Sequence, residues 1–110
     1  MGRFMKGDVV VLPFPFSDLT QSKKRPALVV ASLDMHEDVI LCMITSHTTD
    51  ADAISLQKRD FADGELPRDS FIRPNRLFTA DGHIVIRVAG RVQETKLIEV
   101  RAKIIEIISR

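Results

Sequence analysis

The chain has 110 residues, 45% hydrophobic and 28% charged, with 5 Gly and 5 Pro, a size and composition that fit one globular domain spanning 1–110 and exclude a mainly disordered chain. Sixteen basic against fifteen acidic residues leave a formal charge of +1, so bulk charge advertises no nucleic-acid partner and any such site must be local. No apolar run approaches the roughly 20 residues that cross a bilayer. The polar start Met1-Gly2-Arg3-Phe4-Met5-Lys6 lacks a signal peptide's apolar core, so the expectation is a cytoplasmic protein without membrane contact.

Taken in chain order, Val9 to Leu12, Ala27 to Ala31 and Val39 to Ile44 are short, β-branched apolar runs bounded by turn-formers, the pattern of buried strands. Cys42, the single cysteine, sits inside the third run and is expected to be a buried, inert thiol. Between the first two runs lies a long connection, Pro13 to Lys24, whose Phe14 and Phe16 stand on a proline-stiffened stem. Two roles are open to these rings, stacking on bases or covering the core. Ala53-Ile54-Ser55-Leu56-Gln57 alternates, which predicts a fourth strand with one wet face. A second long connection runs from Lys58 to Asp69. Phe71-Ile72, Leu77-Phe78 and Ile84 to Val88 supply further short strands, separated by turns at Pro74-Asn75 and Asp81-Gly82. From about Glu94 the period changes. Leu97, Val100, Ile104 and Ile108 recur at helical spacing, widened by Ile98, Ile105 and Ile107, with Glu99, Lys103, Glu106 and Arg110 opposite. This predicts an amphipathic C-terminal helix docked on the sheet, with partner binding as the other use of its face. Arg101 falls inside the apolar arc without explanation. Many short strands and one helix make the chain mainly β, a compact barrel or sandwich.

The second and third runs are joined by a short polar connection, Ser32 to Asp38, and are expected to pair as an antiparallel hairpin. With the turn centred near Met35, facing residues have numbers that sum to about 70, which sets Arg25 opposite Thr45 at one sheet end. Pro26 fits beside them as a first strand residue that needs no ladder hydrogen bond. Lys23 and Lys24 precede Arg25, and Ser46, His47, Thr48 and Thr49 follow Thr45. A guanidinium fork, two lysines and several hydroxyls converging on one corner suit an anion such as phosphate. Arg68, Arg73 and Arg76 form a looser basic cluster with the look of a solvated surface.

Lys6-Gly7-Asp8-Val9-Val10, Lys24-Arg25-Pro26-Ala27-Leu28-Val29-Val30 and Ile44-Thr45-Ser46, together with Asp69-Ser70-Phe71-Ile72 and Gly90-Arg91-Val92 before the final helix, resemble the MazF/PemK (Kid) toxins. The resemblance covers nearly the whole chain through the order and spacing of its parts. It implies an SH3-like small β-barrel with a C-terminal helix, a homodimer, a cognate antitoxin, no cofactor or metal, and cleavage of single-stranded RNA to 2′,3′-cyclic phosphate and 5′-hydroxyl ends. It also implies that Arg25 and Thr45 form the catalytic pair. Phe14, Phe16, Lys23, Lys24, Ser46, His47 and Arg76 are the expected RNA contacts around it. Arg76 enters because the segment Arg76-Leu77-Phe78-Thr79-Ala80-Asp81 has Phe78 where some members place a second arginine, and strand alternation sets Arg76 on the same face.

An arginine stays protonated, so Arg25 is expected to clamp the scissile phosphate rather than act as a base, with Thr45 positioning it. The acceptor of the 2′-OH proton is unassigned; His47 lies close in sequence and carries an imidazole of the kind that serves as a general base. His36 and His83 are too scattered to argue for a metal site. Two other readings compete. One is a non-enzymatic toxin of the same fold resembling the gyrase inhibitor CcdB, which needs no reactive corner. The other is an SH3-like module presenting the Phe14 and Phe16 loop to a peptide. The RNA sequence recognised and the antitoxin's identity are not legible in the chain.

Overall fold

The computed structural model describes residues 4–15, 22–33 and 37–110, with the backbone alone at Pro15 and Ser22. Phe16, the turn centre near Met35, and His36 lie outside these residues. Within them the strands are β1 (Asp8–Pro15), β2 (Ser22–Ser32), β3 (Asp38–Thr45), β4 (Ile54–Leu56), β5 (Phe61–Gly64), β6 (Ser70–Asp81) and β7 (Arg87–Val92), followed by helix α1 (Glu94–Ile108). They form one curled antiparallel sheet in the order β4-β6-β3-β2-β1-β7-β5, a half-barrel carrying its helix at the C-terminus. The mainly β architecture with a terminal helix is the one the sequence predicts. Among the described residues no helix is long and apolar enough to cross a membrane.

The central strands are apolar on both sides because both faces of the sheet are covered. Val10, Leu12 and Phe14 of β1, Ala27 and Val29 of β2, and Val39 and Leu41 of β3 build one buried cluster with Phe4 and Ala80. Val9, Leu28, Cys42 and Ile44 point the other way, into a second cluster with Ile54, Leu56, Ile72, Val92 and Val100. Helix α1 closes this second face by burying Val100 fully and Leu97 and Ile104 in part. Cys42 lies in this cluster, and burial pushes its thiol up to about 12, so it is protonated at any physiological pH.

Four sequence expectations need correction. The segment from Lys58 to Asp69 is not a plain connection. It makes a 3-10 turn at Lys58–Asp60 and then β5, which pairs with β7. Phe61-Ala62-Asp63-Gly64 has a single large apolar side chain, so no periodicity announces it. Pro74-Asn75 is not a turn between two strands. β6 is continuous, and Pro74, Asn75 and Arg76 bulge out between Arg73, opposite Met43, and Leu77, opposite Cys42. A bulge needs no ladder hydrogen bond from the proline, which is why the strand survives it. The last strand begins at Arg87 and not at Ile84, because Gly82–Ile84 turns as a 3-10 helix under the Asp81 carboxylate, which accepts from the His83 amide at 2.9 Å. Finally, the apolar arc of α1 is only partly used: Ile98, Ile105 and Ile108 stay exposed, with Arg101 among them.

Candidate active site at the end of the central hairpin

The β2–β3 ladder pairs Ala27 with Met43, Leu28 with Cys42 and Val29 with Leu41, the register expected from the sequence. Continued two residues further, that register sets Arg25 across from Thr45. The backbone of Arg25 is also held from the other side, opposite Leu12 of β1. A strand with partners on both edges gives a half-buried side chain a fixed origin, the condition for a preorganised charge.

Beyond this sheet end lies a cleft of about 240 Å³. Lys23, Lys24, Arg25 and Pro26 line it from β2, and Ile44, Thr45 and Ser46 from β3 and its exit. Leu66, Pro67, Arg68 and Ser70, between β5 and the start of β6, make the opposing wall. Among the described residues none that lines the cleft is acidic, and four cations, Lys23, Lys24, Arg25 and Arg68, face it in a chain whose net charge is close to zero. Such a local excess of one sign concentrates anions at the site.

Thr45 is less free than the sequence implies. Its hydroxyl donates to the His47 carbonyl at 3.0 Å and accepts from the His47 amide at 3.3 Å, a side-chain turn that steers the chain out of β3. The hydroxyl proton is spent on backbone, which leaves oxygen lone-pair capacity and packing surface for the cleft. Ser46 lines the cleft; His47 is exposed and does not.

The remaining sequence candidates are placed elsewhere. Phe14 is buried, 9% exposed, with its ring edge-on to Phe78 at 5.0 Å between centroids. Its stacking surface is used inside the first cluster, so of the two roles left open the core one fits the position. Arg76 is exposed in the β6 bulge and does not line the cleft. The alternation linking it to Phe78 fails, because the extra residues break the period. The arginine cluster of the sequence also separates. Arg68 goes to the cleft, while Arg73 pairs with Asp50 at 3.1 Å. Leu66, Pro67, Arg68 and Ser70 are the lining residues that sequence reasoning missed. The only signal was the basic character of Arg68, without a strand prediction for β5 to place it.

His83 is not the isolated histidine of the sequence. Its Nδ1 lies 2.7 Å from Asp81 and its Nε2 3.1 Å from Glu37, at the end of β3 remote from Thr45. Among the described residues no group of three or more His, Cys, Asp or Glu side chains is placed to hold a metal ion.

Asp50 anchors the segment that leaves the cleft. It accepts from the Asp52 amide at 2.9 Å, from Asn75, and from Arg73, and these bonds hold its carboxyl at about 2, below the ordinary 3.8. A carboxylate depressed by folding adds stability above its unfolded value and loses it as pH falls through its folded value. Asp50→Asn should therefore melt below the wild type at neutral pH, with the gap closing between about pH 4 and about pH 2. A gap that persists undiminished at pH 2 in thermal melts would contradict this account.

A curled antiparallel sheet with a terminal helix and a cationic cleft at its central hairpin defines a class already known. The chain belongs to the PemK-like, MazF-like toxins of type II toxin-antitoxin systems, whose family model matches residues 5–108. The same fold occurs in an endoribonuclease solved in complex with its cognate antitoxin from a mycobacterial species, at 12% identity over 99% of this chain and 96% of that one, TM-score 0.75. It occurs also in the MazE–MazF complex from Deinococcus radiodurans, at 18% identity over 94% of each chain, TM-score 0.74. MazF alone from the same organism is similar at 20% identity over 94% of each chain, TM-score 0.72. A comparison with curated protein sequences gives no match.

Proposed function

We propose that this toxin is a metal-independent endoribonuclease that cleaves single-stranded RNA, mRNA in particular, at a short recognition sequence, leaving 2′,3′-cyclic phosphate and 5′-hydroxyl ends. The observation that carries the reading is the cleft itself: Arg25 and Thr45 at one sheet end, flanked by Lys23, Lys24 and Arg68 and, among the described residues, by no acid. Family membership supports the reaction class. The 2′-hydroxyl attacks its own phosphorus, and the departing 5′-oxygen takes up a proton. Arg25 clamps the non-bridging oxygens as negative charge builds on the phosphorane. Thr45, tied to the His47 backbone, fixes the wall against which the phosphate rests. Lys23, Lys24 and Ser46 hold the neighbouring backbone of the strand, with the acceptor of the 2′-OH proton left unassigned.

The protein acts as a cytoplasmic homodimer neutralised by a cognate antitoxin. Exposed Ile86 just before β7, Val88 on it, and Ile98, Ile105 and Ile108 on α1 support this reading, because apolar rows of this kind mark surfaces that partners cover. The antitoxin-bound state of the mycobacterial endoribonuclease and of the Deinococcus MazF supports the second partner.

Purified protein should cleave a single-stranded RNA in excess EDTA at the rate seen without it, and the fragments should carry cyclic phosphate and 5′-hydroxyl termini. Loss of cleavage in EDTA, restored by a divalent ion, or 5′-phosphate products would overturn the proposed chemistry.

A further inference from the structure

The wall of the cleft formed by Leu66, Pro67 and Arg68 has a second side. A neighbouring cleft of about 250 Å³ shares these three residues and is lined further by Leu56, Gln57 and Phe61 and by the charged Lys58, Glu65 and Asp69. Leu66, Pro67 and Arg68 are therefore a ridge between two hollows. Arg68 is exposed on it and, among the described residues, its guanidinium has no ion-pair partner. That sets it apart from Arg73, Arg91 and Arg110, which pair with Asp50, Asp8 and Asp52. The ridge is held at its foot, where the Ser70 hydroxyl donates to the Arg68 carbonyl at 3.0 Å, so the arginine projects from a fixed backbone.

A strand whose scissile phosphate lies at Arg25 can leave the first cleft over this ridge, which that cleft shares with the second hollow. The second hollow is lined by an amide at Gln57 and a half-buried ring at Phe61, groups that receive a base rather than a phosphate. Its Lys58 and Glu65 pair with each other at 3.2 Å and Asp69 adds a carboxylate, so apart from Arg68 on the ridge the hollow has no cationic excess to draw a second phosphate. The crossing point is where the cation stands.

We infer that Arg68 is a second phosphate clamp, gripping the substrate backbone next to the scissile phosphate as the strand passes over the ridge and seats its neighbouring base in the second cleft. The inference rests on the RNA-cleaving reading above. It makes Arg68 a binding residue, distinct in effect from Arg25. A clamp on a non-reacting phosphate binds ground and transition states alike, so its loss raises KM and leaves kcat.

The test compares wild type, Arg68→Ala, Arg68→Lys and, as a surface-charge control on the last helix, Lys103→Ala, on a long single-stranded RNA with a mapped cleavage point. Arg68→Ala should raise KM about tenfold with kcat within about twofold, and lower the salt dependence of binding by about one counterion. Arg68→Lys should recover most of the affinity, and Lys103→Ala should match wild type. With RNA shortened on the side of the scissile bond that crosses the ridge, wild type should weaken to the level of Arg68→Ala and the variant should lose nothing further. An Arg68→Ala enzyme with wild-type KM and salt slope would overturn the clamp while leaving the nuclease reading intact. So would an equal penalty on every shortened RNA. A wild-type protein that cleaves no RNA would overturn both.

Discussion

Arg25→Ala should lower kcat for RNA cleavage by a factor of roughly 10²–10³, the usual effect of removing one donor that stabilises developing oxyanion charge. The backbone at position 25 is carried by the β1 ladder opposite Leu12. The variant should keep its far-ultraviolet spectrum, its oligomeric mass and its antitoxin binding. Arg25→Lys should fall in between, because an ammonium keeps the charge and loses the fork that addresses two phosphate oxygens at once. Thr45 calls for a different comparison, since Thr45→Ala also cuts both bonds to His47 and frees the chain leaving β3. Thr45→Ser keeps those bonds and isolates the methyl group. Single-turnover rates decide the matter. A wild-type rate in Arg25→Ala would remove this residue from the reaction and with it the proposed site.

The largest stability effect is expected at Gly64→Ala. Gly64 has φ of +74° and faces Gly90 across the β5–β7 pair, where an added Cβ would stand 2.2 Å from the Ala89 carbonyl oxygen and 2.6 Å from the Gly90 Cα. The obstacle is backbone and cannot rotate away. A left-handed conformation costs an alanine about 1–2 kcal/mol, and forcing two strands apart typically costs about 1–3 kcal/mol more. The expected loss is thus about 2–5 kcal/mol, a large share of the roughly 5–15 kcal/mol that holds a domain of this kind. Because Leu66 and Arg68 follow directly on this strand, the same substitution should loosen the cleft's outer wall and raise KM more than it lowers kcat. An unchanged denaturant midpoint would show that β5 tolerates the shift and that the two glycines are not a required contact.

Legibility of the fold followed hydrophobic density. β1, β2 and β3 are apolar on both faces and stand out as runs, and the short connection after Ser32 leaves the hairpin few registers, so Ala27 opposite Met43 is legible in the sequence. The corner at Arg25 and Thr45 follows from that register alone. β5 could not be read, because its hold on β7 is made by backbone and by two glycines, which carry no pattern. The ridge at Leu66 to Arg68 was lost with it, and with the ridge half of the cleft. In β6 a proline imitated a turn, since sequence alone does not distinguish a bulge from a chain reversal. The helix was legible as a helix from its 3.6-residue period, but the period cannot say which apolar residues meet the sheet. Val100 does, and Ile98, Ile105 and Ile108 do not. Phe14 illustrates the same limit, because a ring on a proline-rich stem reads alike whether it faces solvent or Phe78.

The two sides of the cleft also differ in when they can exist. One is a hairpin of neighbouring strands, made of residues that leave the ribosome close together. The other hangs from β5, an edge strand whose one neighbour in the sheet is β7, and β7 in turn is seated on β1, with Arg91 opposite Asp8. That pairing joins opposite ends of the chain and closes a long loop before any contact rewards it. The hairpin that carries Arg25 thus needs only neighbouring strands, whereas the facing wall needs β7 as well. A fragment ending before β7 lacks the strand on which β5 pairs, and with it the support of the cleft's second wall.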